Sequence, residues 1–140
     1  MKVLVATIET ELYAGSAISV VTETLDGELK VFPGHAPLLA VLRPGLLRIY
    51  CPADKKYPKG RQDMMLISGG YLEVQPDKVT VLADAYERIG DIDAAKAKRV
   101  VDQARETYRL AAPTEAEKAL LELEIAVVRL KLSRRNQGRG

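Results

Sequence analysis

The sequence predicts an α+β protein, with an N-terminal β-sandwich over residues 1–88 and an antiparallel α-helical hairpin with a basic tail over residues 89–140. Three observations point that way. Up to Ala83 the chain falls into short β-branched segments bounded by Gly, Pro, Asp or Lys, the punctuation of an all-β sandwich or flattened barrel. Around Glu87 to Gly90 the apolar spacing changes from two to three and four, the period of a helix. The charge changes at the same place: residues 1–89 hold 10 Lys+Arg against 11 Asp+Glu, whereas residues 90–140 hold 11 against 8.

The segments KVLVATIET, AISVVTETL, ELKVF, LLRIY, MMLIS, YLEVQ and KVTVLA each read as strands, because branched side chains pack well on a pleated surface. Asp26-Gly27 is a tight-turn pair and Pro76-Asp77 a hairpin turn. Gly69-Gly70 reads as a bulge or tight turn in which glycine permits a backbone other residues avoid. The stretch Asp26–Gly45 is dense in breakers. Pro33-Gly34 ends a strand, and Pro37 biases Ala36 away from helix. It reads as a rigid, partly apolar loop joining two strands, with the chain's single histidine, His35, buried or hydrogen-bonded within it. The polar segment from Cys51 to Asp63, with its two prolines, reads as an exposed loop.

Asp91 or Asp93 is placed to cap the first helix, offering a carboxylate to its unpaired amides. Ala94, Ala97, Val101, Ala104, Tyr108 and Ala111 then form one narrow, alanine-rich stripe that lets another helix approach closely. Ala112-Pro113 stops this helix, and Thr114 with Glu117 is a capping box for the next. The second helix carries two seams: Ala116, Leu120, Leu123, Val127 and Leu130 form one, and Leu121, Ile125, Val128 and Leu132 the other. At about 100° per residue these seams lie on nearly opposite faces, so the helix is expected to need two partners, not one.

Composition bounds the function. The chain is 47% hydrophobic and 29% charged, an ordinary globular balance, and its net charge of +2 argues against nucleic acid as a main partner. No Trp and one Phe offer no base-stacking platform. The longest apolar run, Ala36 to Leu42, is far short of the ~20 residues of a membrane helix, so membrane association is expected through another protein and not by direct insertion. The lone Cys51 cannot form an internal disulfide. One His and one Cys fall short of a catalytic triad or metal site, and no phosphate-binding GxxxxGK[ST] loop occurs. No catalytic or metal residues are assigned, and the chain reads as a non-enzyme.

Two stretches carry a resemblance. GELKVFPGHAPLL and, about 30 residues on, LISGGYLEVQPDKVTVLADAYER are similar to the corresponding segments of the epsilon subunit of bacterial-type F-type ATP synthases, in the same order. The resemblance implies a non-catalytic central-stalk subunit that couples the gamma subunit to the c-ring of the membrane sector. It further implies regulation of ATP hydrolysis by the C-terminal hairpin, which meets the catalytic subunits when extended. A peripheral place on the cytoplasmic face of the bacterial inner membrane follows. Carried over residue by residue, Glu28 and His35 would lie in the loop region facing the ring, although Lys30 replaces the family's usual glycine there. Some members bind ATP on the hairpin through an I/L-D-x-x-R-A motif. Here Ile92, Asp93 and Ala97 match it, but Lys96 stands where arginine is expected, and lysine lacks arginine's bidentate fork. A supporting arginine position falls near Gln103, while Arg129 matches another. Asp93, Lys96 and Arg129 are thus the candidates for a weakened regulatory ATP site, and no other cofactor is implied.

Two other readings remain open. A free-standing β-sandwich interaction module is separated from the stalk reading by co-purification with gamma, and a nucleotide sensor by ligand titration.

Overall fold

A computed structural model of the chain describes residues 1–89 and 92–137, with side chains described through residue 134. It divides into two compact units, Met1–Tyr86 and Glu87–Gly140. The first holds strands β1 (Lys2–Ala6), β2 (Glu11–Ser16), β3 (Ser19–Thr24), β4 (Gly27–Val31), β5 (Leu38–Leu42), β6 (Gly45–Cys51), β7 (Arg61–Ile67), β8 (Gly70–Gln75) and β9 (Lys78–Ala83). A short strand, β10 (Tyr86–Arg88), leads to α1 (Ala94–Leu110) and α2 (Ala116–Gln137).

Strand pairing builds two layers. One runs β4-β3-β6-β7 and the other β5-β8-β9-β1-β2, with β1 and β9 the parallel pair. The layers join where Thr24 of β3 meets Leu42 of β5. Alternation along each strand sends one side of each layer inward. Val20, Val31, Leu47, Ile49, Met65 and Ile67 of the first layer meet Val3, Val5, Leu72, Val74, Val79 and Val81 of the second in one core. This is the β-sandwich the spacing predicts.

Three strands escape the sequence reading. β2 follows β1 as an antiparallel partner with a register shift at Val5/Ala6, β10 is only three residues long, and β5 occupies part of the stretch read as a loop. The 51–63 loop is shorter than expected, because Arg61, Gln62 and Asp63 pair with Cys51, Tyr50 and Ile49. Gly69 and Gly70 carry φ values of 124° and 132°, as a turn at that pair requires.

In the second unit α1 and α2 pack as a hairpin. Asp93 caps α1: its carboxylate accepts from the Lys96 amide at 3.0 Å. Asp91 lies outside the described residues. Ala97 and Val101 of the alanine stripe are buried, while Tyr108 toward the far end of α1 is 41% exposed. The second helix begins later than the Thr114–Glu117 pattern places it. A turn covers residues 113–115, and the first helical bond runs from the Ala119 amide to the Glu115 carbonyl. Of the two seams, Leu132 alone is buried among the described residues. Ala119, Ala126, Leu132 and Ser133 are buried, whereas Leu120 and Leu121 are 40% and 45% exposed. The burial of Ala119 and Ala126 fits small side chains that let two backbones come together while larger neighbours splay outward.

Candidate functional site

Sheet register places an exposed apolar row on the outer side of the second layer. Leu38, Ala40 and Leu42 alternate with Leu39 and Val41 along β5, so the second set points away from the core. Val41 pairs with Tyr71 of β8, Tyr71 with Leu82 of β9, and Leu82 with Ala6 of β1. Leu39, Val41, Tyr71 and Leu82 are 72%, 44%, 55% and 44% exposed. An apolar row on a rigid sheet is the usual mark of a protein-binding surface. The sequence reading missed it by treating residues 36–42 as loop. The available signal was LLAVL itself, a run apolar on both faces, as in a strand covered on both sides.

The two residues expected to share a ring-facing loop are separated. Glu28 is the second residue of β4, not part of a loop, and pairs with Arg48 of β6 at 3.4 Å on the outer side of the first layer. His35 lies in the 32–37 loop, half-buried, and its Nδ1–H donates to the Ala36 carbonyl at 2.7 Å. The Gly34 amide ties that loop to the Pro76 carbonyl at the β8–β9 turn. Lys30, one residue past Leu29, stretches over Phe32 at 5.1 Å and toward Tyr50 at 5.9 Å, so the segment entering the loop is extended strand.

His35 and Cys51 do not meet. The Cys51 thiol lies 3.2 Å from the Tyr13 hydroxyl, which donates to the Ser16 carbonyl at 2.9 Å. Burial, reinforced by the thiol contact, pushes the Tyr13 phenol up to about 12. No three of His, Cys, Asp and Glu converge as a metal site among the described residues.

The nucleotide candidates are also dispersed. An open groove of about 360 Å³ between the helices is lined by Val100, Gln103, Ala104, Thr107, Glu122, Ile125 and Arg129. Gln103 and Arg129, the two positions matched to supporting arginines, do share this groove. Asp93 and Lys96 are not among its lining residues; Asp93 is engaged as the α1 cap. Arg129 donates through Nε to Glu87 at 2.6 Å, a charge-assisted bond that offsets its charge and engages one of its five N–H donors. The isolated chain is therefore expected to bind ATP no tighter than about 1 mM, worth roughly 4 kcal/mol. Isothermal calorimetry checks this, and micromolar binding would show that the groove suffices.

Comparison with known proteins gives the arrangement its kinship. The beta-sandwich domain of the ATP synthase delta/epsilon chain matches residues 1–89. The ATP synthase epsilon chain of Acidithiobacillus ferridurans is 42% identical over 140 residues, covering 99% of this chain and 94% of its own. That of Neisseria meningitidis serogroup C (strain 053442) is 40% identical over 127 residues, covering 86% and 85%. A chain in the Euglena gracilis mitochondrial ATP synthase, OSCP/F1/c-ring structure shares the fold with a TM-score of 0.76 at 22% identity, over 90% of this chain and 76% of that one. A chain in the Tetrahymena thermophila mitochondrial ATP synthase central stalk/c-ring structure does so with 0.71 at 18%, over 94% and 95%. The chain belongs to the ATP synthase epsilon-chain family.

Proposed function

We propose that this chain is a non-catalytic rotor subunit in the central stalk of a bacterial F-type ATP synthase, peripheral on the cytoplasmic face of the membrane. The observation that carries this reading is a kinship that runs through the sandwich and the helical hairpin alike. The sandwich transmits torque as a rigid body. Its exposed row of Leu39, Val41, Tyr71 and Leu82 takes the gamma subunit, because burying such a row removes apolar area from water. The end bearing His35 faces the c-ring, and Glu28, held by Arg48 on the flank, is the more remote of the two candidate contacts.

The hairpin regulates hydrolysis by leaving its closed form for an extended one that meets the catalytic subunits. The Glu87–Arg129 pair within this unit is a contact that extension would break. Arg129, Lys131 and Arg134 are then available to acidic surfaces of those subunits; Arg135, a further candidate from the sequence, lies outside the described side chains. A ligand or partner shifts such an equilibrium only by its differential affinity for the two forms.

Ring contact is tested in membranes carrying the assembled enzyme, by proton-driven ATP synthesis. His35→Ala is expected to weaken coupling more than Glu28→Ala, with the isolated fold of both variants intact. Unchanged synthesis in both would remove these residues from the ring contact.

A further inference from the structure

The sandwich is electrically polarised along its strands, and its cationic end carries a loop that neither the core nor the stalk reading requires. Register identifies that end. Val31 pairs with Val20 and Ser19 with Tyr50, so the His35 loop leaves β4 beside the point where β6 enters the 52–60 loop. The Gly34 and Lys2 amides bond to the carbonyls of Pro76 and Asp77, which brings the β8–β9 turn and the start of β1 to the same end. Lys2, Lys55, Lys56, Lys59, Arg61 and Lys78 gather there, with Asp54 and Asp77 as the acids of the same turns. At the opposite end the turns at residues 7–11, 24–27, 43–44 and 84 carry Glu9, Glu11, Asp26 and Asp84, against Arg43.

The 52–60 loop is preformed. The Tyr57 amide donates to the Asp54 carboxylate at 2.6 Å, and the Asp54 and Gly60 amides donate to the Tyr57 carbonyl at 3.0 and 2.9 Å. Asp54 is thus spent on the turn. Lys56 and Arg61 lie over the Tyr57 ring at 5.4 and 5.3 Å. Lys55, Lys56 and Lys59 are exposed, and no ion pair among the described residues holds them. The result is a rigid knuckle whose outward groups are lysines around one amphipathic aromatic ring.

We propose that this knuckle docks on the anionic headgroup layer of a phospholipid bilayer. The choice of a lipid surface over a protein partner rests on the form of the charge. Three exposed lysines, each a strongly hydrated point charge, match a fluid layer of point charges better than a fixed acidic epitope, and a tyrosine with an apolar body and a polar tip suits the water–lipid boundary. The contact is at the surface, and no helix among the described residues is long and apolar enough to cross a membrane. It adds a direct lipid contact to membrane association that the sequence assigns to other proteins.

Co-sedimentation of the full chain with vesicles tests this. Binding is expected to vesicles of phosphatidylcholine with phosphatidylglycerol, but not to phosphatidylcholine alone, and to fall with added salt. Each lysine near an anionic surface contributes roughly five-fold, so Lys55→Gln, Lys56→Gln and Lys59→Gln together are expected to reduce partitioning on the order of 100-fold. The same number of charges removed from the helices, at Lys98, Lys118 and Lys131, is expected to leave binding within about five-fold of the parent. Equal loss in both triple variants, retention by the loop variant, no binding by the parent chain, or equally tight binding of polyglutamate would each overturn the proposal. Vesicle binding by the chain alone reads this charge directly, whereas ring contact is read only in the assembled enzyme, so the two fail separately.

Discussion

Gly70→Ala is expected to destabilise the sandwich by about 3–5 kcal/mol, the sum of backbone strain and a steric clash. Gly70 opens β8 with φ at 132°, a region L side chains rarely adopt. A methyl group there would also press on the Leu82 carbonyl oxygen and the backbone of Ala83, the strand partner with which Gly70 is in register. Neither neighbour is a flexible side chain, so the strain cannot be relieved without parting β8 from β9. The sandwich transition in a thermal melt should drop by roughly 10–20 °C. Gly27→Ala separates the two causes: its φ is 113° but nothing lies within 4 Å of the added methyl, so only strain of about 1–3 kcal/mol is expected.

Stopping the chain after residue 89 is expected to raise steady-state ATP hydrolysis by the reconstituted complex severalfold. The matched β-sandwich domain ends at that residue, and the core lies wholly within residues 3–83. The truncated chain should therefore remain folded and keep its outer apolar row. What it loses is the element assigned to inhibition, including Leu120 and Leu121, which are exposed in the closed hairpin and available to a new partner. Equal rates of full-length and truncated complexes at every ATP concentration would show that the hairpin does not inhibit.

How much of this was legible in the sequence depends on whether a feature is local. The core strands announced themselves because β6, β8 and β9 alternate cleanly, from GLLRIYC to KVTVLA. The α1 cap was legible at Asp93, since a cap acts within four residues. By contrast β5 was hidden behind three prolines and a doubly apolar pattern, and its outward residues gain meaning only when Tyr71 and Leu82 arrive from β8 and β9. The same limit explains Glu28 and His35: the resemblance implied one ring-facing loop region for both, while the ELKVF strand already holds Glu28, and Arg48, 20 residues away, pairs with it on the sheet. In α2 the leucines drew attention by size, yet apart from Leu132 its buried positions are the small Ala119, Ala126 and Ser133. The Glu87–Arg129 pair spans 42 residues and left no sequence signal.

The stalk assignment is tested most directly by affinity purification of this chain, full-length and ending at residue 89, from gently solubilised bacterial membranes. Both forms are expected to recover the gamma subunit in about equal molar amount, and Tyr71→Asp, which places a charge at the centre of the apolar row, is expected to lose it. Recovery of no gamma subunit by either form, or undiminished recovery by Tyr71→Asp, would contradict the assignment of this chain and of that face.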